Sequence, residues 1–346
     1  MRLVAIIHSK TGFFMTTRRK FLDASTATAL AAAGLGAPAL VQAQTKTATW
    51  PSQALKIVVP FPPGGTSDVI ARIIAKPLGD ALGATVIVEN RTGANGSVGA
   101  GVVAQATDNH TLLLSDMGSV ALAHVLTKEL PYKADDLKGV TMLAYSPHML
   151  VANPSLAANN LQELVALSKK TKINVASSGT GSPNHLGMVE IAQATGMQWQ
   201  HVPYRGGAQS VADTAAGVTH VVLNGMLATL PLVQAGRLKV IGISKRTRMA
   251  LVADMPTIAE QGLPNFESGT YQGVAVAKGM PKAAVDKLST ALISVIRTPE
   301  IRARLLQAGA EVMTSTPAEL TAFLAAERKR WSGVIERAGS QLEGTP

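Results

Sequence analysis

Two stretches of glycine and hydroxyl side chains carry the clearest chemistry in this sequence. The first, Pro60-Phe61-Pro62-Pro63-Gly64-Gly65-Thr66-Ser67-Asp68, runs from an apolar segment into a helical pattern. Its prolines stiffen the backbone, its glycines let N–H groups approach a ligand closely, and Thr66 and Ser67 add hydroxyls. The helix that follows points its positive end at the loop, which suits an anion. An ordinary capped turn, with Asp68 serving the helix dipole, explains the same residues equally well when the loop is taken alone. The second stretch, Ser177-Ser178-Gly179-Thr180-Gly181-Ser182-Pro183-Asn184-His185, has the same character. Ser182 reads as an N-cap and Pro183 as the first helical residue, where its missing N–H costs nothing. Loops of one kind on two different lobes would face each other across a cleft, and that pairing is more informative than either loop.

Three further loops can line such a cleft: Ser115 to Ser119, Pro203 to Gln209 with Tyr204 and Arg205, and Asn224 to Met226. Arg205 could pair bidentately with a carboxylate, although a solvated surface role fits it better. Asp116 could hold a ligand amine or simply cap a helix. A buried cation is not required for an acid ligand. A hydrogen bond to a charged group contributes about 1.5 to 3 kcal/mol, and a helix end adds about 0.3 to 1 kcal/mol. Four donors and two helix ends therefore reach about the 8 kcal/mol of a micromolar complex, before the ordering cost of closure.

Catalytic signatures are scarce. The sequence holds no G-x-S-x-G elbow, Walker loop, complete G-x-G-x-x-G or H-E-x-x-H, and no His pair at i, i+4 spacing. A triad of Ser177 or Ser178 with His185 and Asp116 can be drawn, so a periplasmic serine hydrolase of small esters or amides stands as the rival reading. The absence of Cys excludes disulfides, Cys-ligated zinc, iron–sulfur clusters and a thiol nucleophile. No cofactor and no metal are expected.

These loops need elements to position them. Short apolar runs at Leu55 to Phe61, Thr85 to Glu89, Thr111 to Leu114, Ile173 to Ala176, His220 to Leu223 and Leu238 to Ile243 are nearly continuous in hydrophobicity, as in parallel strands covered on both faces. Helical patterns between them, such as 68–82, 161–170, 183–195 and 208–216, give a β-α-β alternation and an α/β class. So many strands exceed an ordinary single sheet, and 346 residues at 47% hydrophobic suffice for two lobes. The stretches 140–154 and 268–278 read as strands crossing between lobes. The expected division is residues 44–150 with 271–346 as lobe 1 and 151–270 as lobe 2. Beyond Pro281 the pattern is mostly helical, with one strand-like run at 311–314.

The formal charge of +10 suggests nucleic acid at first sight. Five basic residues and Asp23 precede Ala43, however, and removing them leaves 27 basic against 21 acidic residues. The remaining basic clusters, 245–248 and 328–330, lack interleaved aromatics, so a nucleic-acid partner is not expected. Residues 16–22 read Thr-Thr-Arg-Arg-Lys-Phe-Leu, followed by a weakly apolar stretch and Val41-Gln42-Ala43. This predicts a twin-arginine signal peptide over 1–43, cleaved after Ala43, and a mature chain in the periplasm. Gly34, Gly36 and Pro38 make the stretch a poor membrane span. Met15 lies just before the motif and is an alternative start.

Several ordered motifs together resemble the Bug family of periplasmic solute receptors, the binding components of tripartite tricarboxylate transporters. They are Val59-Pro60-Phe61-Pro62-Pro63-Gly64-Gly65; Glu89-Asn90-Arg91 with Gly93 and Gly96; Leu130-Pro131-Tyr132; Ser177 to Ser182 with His185-Leu186; Val202-Pro203-Tyr204-Arg205-Gly206; Ala235-Gly236-Arg237-Leu238; and Pro256-Thr257 with Glu260 and Gly262. The resemblance runs from Trp50-Pro51 to about Gly339. It implies a two-lobed periplasmic binding protein (type II, Venus-flytrap) with two crossing strands that closes on a small organic acid and serves membrane transporter subunits or a sensor, as a monomer and without catalysis. It implies pincers on a carboxylate from Gly64, Gly65, Thr66 and Ser67 on one side and Ser178, Gly179, Thr180 and Gly181 on the other. The loops read above add Phe61, Asp116, His185, Tyr204 and Asn224 as candidate ligand-binding residues. Bulky replacement of Gly65 or Gly181 is expected to abolish binding and leave the fold intact. Two departures from the family pattern stand out: Thr66-Ser67-Asp68 replaces the more usual Pro/Ser-Thr-Asp, and Thr270-Tyr271 stands where many relatives carry Trp.

Overall fold

The structure, a computed structural model, describes residues 50–127 and 129–339. The predicted signal peptide lies outside them. The chain runs β1 (Leu55–Val59), α1 (Thr66–Leu82), β2 (Val86–Asn90), α2 (Ser97–Ala104), β3 (Thr111–Asp116), α3 (Met117–Leu126) and β4 (Leu137–Ala152). It continues through α4 (Leu161–Ser168), β5 (Asn174–Ser177), α5 (Pro183–Thr195), β6 (Gln200–Pro203), α6 (Gly207–Ala215), β7 (Val221–Gly225), α7 (Met226–Gln234) and β8 (Lys239–Ile243). It ends with β9 (Gly269–Ala277), α8 (Lys282–Ile296), α9 (Pro299–Gln307), β10 (Glu311–Val312) and α10 (Pro317–Ala338).

The strands pair in the order β2-β1-β3-β9-β4-β7-β5-β6, with β8 and β10 also on β4. The long strand β4 joins two halves of the architecture. Its first part, Leu137 to Pro147, pairs antiparallel with β9, while His148 to Ala152 pairs with β7 and β8. The stretches read as crossings are thus β4 and β9, bound to each other. Each half is an α/β layer structure with apolar packing on both faces. In the first half, β1, β3 and β9 bury Ile57, Leu112 and Val276 under α1 and α8, and Val58 and Leu113 under α2. In the second, α4 and α5 cover Val175 and Leu223, and Met226 and Leu230 of α7 pack with Ala176 and Val222 on the other face. Helix α10 packs on α3 and β4 and also on α5, with Trp331 wedged among Leu122, Leu186 and Val334.

Three differences from the sequence reading have plain physical causes. The run Leu55 to Phe61 stops pairing at Val59, because Pro60, Pro62 and Pro63 cannot donate to a ladder. The run at 238–243 forms β8 but pairs antiparallel with β4, because continuous hydrophobicity reports burial of both faces and not strand direction. Strand β6 has the polar sequence Gln-His-Val-Pro and escapes a hydrophobicity pattern; its parallel pairing with β5 places it.

Candidate functional site

The loops at the carboxyl ends of the strands converge on a small cavity of about 50 Å³. Its first wall is Phe61, Gly65, Thr66 and Ser67 at the start of α1, with Asp116 and Ser119 at the start of α3. The opposite wall is Ser178, Pro183 and Asn184 at the start of α5, Gly207 at the start of α6, and Asn224, two residues before α7. His148 of β4 and Thr270 and Gln272 of β9 complete the lining. Four helices therefore present their first turns to one small space. No side chain caps the N-termini of α1, α5 and α6. Away from the cavity, α2 and α8 also start without side-chain caps, whereas α4, α9 and α10 are capped by Asn160, Thr298 and Thr316. Orphan first-turn amides aimed at one point make a positive potential without a cation, and no Lys or Arg lines the cavity among the described residues.

Side-chain braces hold the first loop. The Asp68 carboxylate accepts from Gly64 N at 2.9 Å, from Arg72 Nε and Nη2 at 2.9 Å each, and from Asn90 Nδ2 at 3.0 Å. Asn90 Nδ2 also donates to Phe61 O at 2.9 Å. Burial alone would raise the Asp68 pKa, but the hydrogen bonds from Arg72, Gly64 and Asn90 outweigh it and hold the carboxyl below its usual value. Gly64 thus commits its amide to Asp68, and it does not line the cavity.

The second loop is braced by neutral groups. Asn184 Oδ1 accepts from Ser178 Oγ at 2.8 Å and from Ser182 Oγ at 2.6 Å, while its Nδ2 donates to Leu223 O at 2.9 Å. The glycines between do not line this cavity, and Gly181 lines a neighbouring one that shares Ser119 with it. Gly179 N donates to Ser177 Oγ at 3.1 Å, and Gly181 N donates to His185 Nδ1 at 2.9 Å. Thr180 O accepts from Asn95 Nδ2 of the first half, in a bond that ties the two halves together. Gly179, Thr180, Gly181, His185 and Tyr204 do not line the cavity. Instead His185 stacks on His201, with ring centroids 3.9 Å apart, and Tyr204 packs against the apolar cluster around Val211 and Val222.

Asp116 lies on the cavity and also caps α3. Its Oδ1 accepts from Gly118 N at 3.1 Å and Tyr271 N at 2.9 Å, and its Oδ2 from Ser119 Oγ at 3.0 Å. Burial pushes its pKa up to about 6 despite those bonds. Of the lining residues outside the candidate set, Ser119, Pro183, Asn184 and Gly207 lie on the loops singled out above, whereas His148, Thr270 and Gln272 lie on the crossing strands, with His148 and Gln272 fully buried. Polar neighbours on the same strands, Thr141 and Ser146 on β4 and Thr270 on β9, left His148 and Gln272 without a distinguishing local signal.

The comparisons with known proteins identify the family and the fold. Residues 70–340 match the model of the tripartite tricarboxylate transporter family receptor. The chain belongs to that family. Protein BugT of Bordetella pertussis is 33% identical over 320 residues, which cover 91% of this chain and 96% of BugT. Two solved structures of Rhodopseudomonas palustris proteins are similar throughout. Rpa4515 with adipate has a TM-score of 0.81 at 28% identity, covering 84% of this chain and 98% of that one. MatC with bound malate has a TM-score of 0.78 at 29% identity, covering 83% and 100%. The two-lobed periplasmic binding protein architecture with crossing strands is therefore the fold of this receptor.

The serine–histidine pairing drawn for the rival hydrolase is not the one this receptor forms. Ser177 Oγ lies 2.7 Å from His201 Nε2, both groups being buried, and Ser178 Oγ bonds Asn184. Burial lowers the His201 pKa to about 4, and neither Ser177 nor His201 lines the cavity. No helix among the described residues is long and apolar enough to cross a membrane, and none of them form a cluster of metal-ligating side chains.

Proposed function

We propose that the protein is an exported receptor that captures a small carboxylated metabolite between its lobes and delivers it to a tripartite tricarboxylate-type transporter or to a sensor, without catalysis. The observation that carries this reading is the convergence of four helix N-termini, three without side-chain caps, on a cavity lined by hydroxyls and amides and by no Lys or Arg. The three uncapped helix ends contribute about 1 to 3 kcal/mol toward an anion. Hydrogen bonds of about 1.5 to 3 kcal/mol each complete a micromolar affinity. The adipate and malate held by the two R. palustris relatives support a carboxylate as the ligand.

Lobe 1 then comprises residues 44–150 and 271–346 and lobe 2 residues 151–270, with β4 and β9 as the hinge. Gly65, Thr66 and Ser67 face Ser178 and Asn184 across the closed cleft. Ligand contacts made from both sides stabilise the closed state, and only this differential affinity drives closure. The twin-arginine segment directs export to the periplasm, where the mature chain acts as a monomer.

Mass spectrometry of the ligand co-purified with native protein, followed by titration calorimetry, tests the reading. A carboxylated compound that binds with one-to-one stoichiometry and is recovered unchanged is expected. Turnover of the compound, or labelling by a serine-directed probe that blocks binding, would favour the hydrolase instead.

A further inference from the structure

The floor of the cavity is built differently from its walls. Thr270 and Gln272 are two residues apart on β9, and side chains two apart share one face of a strand. His148 joins them from β4: its backbone N donates to Ser268 O at 2.9 Å, and its Nδ1 lies 2.8 Å from Ser268 Oγ. Both Gln272 and His148 are 0% exposed. Neither Oε1 nor Nε2 of Gln272 has a hydrogen-bond partner among the described residues, and neither does Nε2 of His148. An amide buried without a partner costs about 1 to 3 kcal/mol, so such groups are rare in folded proteins. Here three unpartnered polar atoms belong to residues that line one ligand cavity.

The chemistry around these atoms narrows what they receive. Asp116 is the residue directly opposite Gln272 in the β3–β9 ladder, and it too lines the cavity. A second carboxylate placed here would face the Asp116 carboxyl and could use only the Nε2 donor of Gln272, leaving Oε1 against a like-charged oxygen. An ammonium would be favoured by the Asp116 carboxyl but would use only Oε1 of Gln272 and leave its Nε2 donor unpartnered. A group that both donates and accepts satisfies both atoms at once. Burial lowers the His148 pKa to about 3, so its imidazole is neutral at physiological pH and adds no charge to favour an anion.

We infer that Gln272, with His148 on the same cavity, receives a second, uncharged hydrogen-bonding group of the ligand, a hydroxyl or carboxamide, and so selects hydroxy- or amido-monocarboxylates over dicarboxylates of equal length. This rests on the carboxylate reading above, with the helix N-termini holding the ligand's one charged end.

Titration calorimetry with matched pairs tests the inference: each dicarboxylate from malonate to adipate against its monoamide, at neutral pH, on the wild-type protein and on Gln272→Leu. In the wild type the best-fitting monoamide is expected to bind about tenfold or more tightly than its dicarboxylate. Gln272→Leu is expected to reduce that ratio severalfold by weakening the monoamide, while the Asp116 carboxyl continues to oppose the dicarboxylate. The unliganded variant should melt no lower than the wild type, since an unpartnered buried amide has been removed. A dicarboxylate that binds as tightly as its monoamide overturns the inference and leaves the carboxylate reading standing, as does a ratio that Gln272→Leu does not change. Failure of every compound in both series to bind overturns the carboxylate reading and the inference with it.

Discussion

The loop from β1 into α1 and the loop from β5 into α5 carry the same residue types, yet they present different atoms to the cavity. In the first, Gly65, Thr66 and Ser67 form the wall. In the second, the Gly179 and Gly181 amides bond Ser177 and His185, and Ser178, Pro183 and Asn184 form the wall. Glycine therefore serves two ends. Gly65 sits at φ −77°, a conformation open to any residue, so its lack of a side chain concerns what comes near it. Gly179 and Gly181 sit at φ +137° and +76°, where other residues are strained, so theirs concerns the turn itself.

Replacing Gly181 with Val should produce the largest effect that follows from this contrast. A Cβ there would lie 2.2 Å from Leu126 Cδ1, and the positive φ adds strain. Strain costs about 1 to 3 kcal/mol, while Leu126 is only partly buried and its methyl groups can shift aside at smaller cost. Denaturant unfolding should show a loss of that size. The positive φ therefore predicts a loss of stability at Gly181 alongside any loss of binding, a different outcome from the intact fold expected from the sequence. Unchanged stability would mean that the second loop is as tolerant as the first.

Two buried carboxyls beside the cleft give a second contrast, in pH. Asp116 has its pKa raised to about 6, so between about pH 4 and 6 the folded state holds more protons than the unfolded chain, and stability falls as pH rises through that window. Asp116→Asn keeps an acceptor for Gly118 N and Tyr271 N and removes the charge. It should flatten that slope and add stability on the order of 2 kcal/mol at neutral pH. Asp68 has the opposite sign. Its lowered pKa contributes stability present above the ordinary value of 3.8 and lost as pH falls through the folded value. Asp68→Asn should therefore destabilise at neutral pH, by about 1 to 2 kcal/mol, and remove the acid-side loss. Stability–pH curves of both variants that moved in the same direction would contradict these assignments.

How much of this was readable beforehand depended on the kind of order involved. Helix α5 begins at Pro183 and ends at Thr195, because a proline in the first turn and a left-handed glycine after the last are local signals, although the Ser182 hydroxyl bonds Asn184 and caps no first-turn amide. The crossing strands were legible as long extended runs around 140–154 and 268–278. Which way a glycine turn faces was not, because it depends on partners far along the chain: Asn95 against Thr180, Leu126 against Gly181. Gln272 was hidden for a related reason. It lies between Tyr271 and Gly273 in a strand read only as a connection, and nothing local tells that its amide lines a cavity opposite Asp116.

The smallest expected effect completes the comparison of the loops. At Gly65 an added Cβ would meet only Pro62 O at 3.6 Å, an ordinary contact, and the backbone there accepts any L-residue. Gly65→Ala should change stability by no more than about 0.5 to 1 kcal/mol, and can raise it by limiting the unfolded chain. Gly65 lines a cavity of only about 50 Å³, however, so added atoms compete with the ligand for space. Calorimetric titration and thermal melts of Gly65→Ala and Gly65→Val should then show affinity falling with side-chain size at nearly constant melting temperature. That pattern differs from Gly181, where stability falls as well. Undiminished affinity in Gly65→Val would place the ligand away from the first loop, and the shared glycine motif would then be a feature of turn geometry on both sides of the cleft.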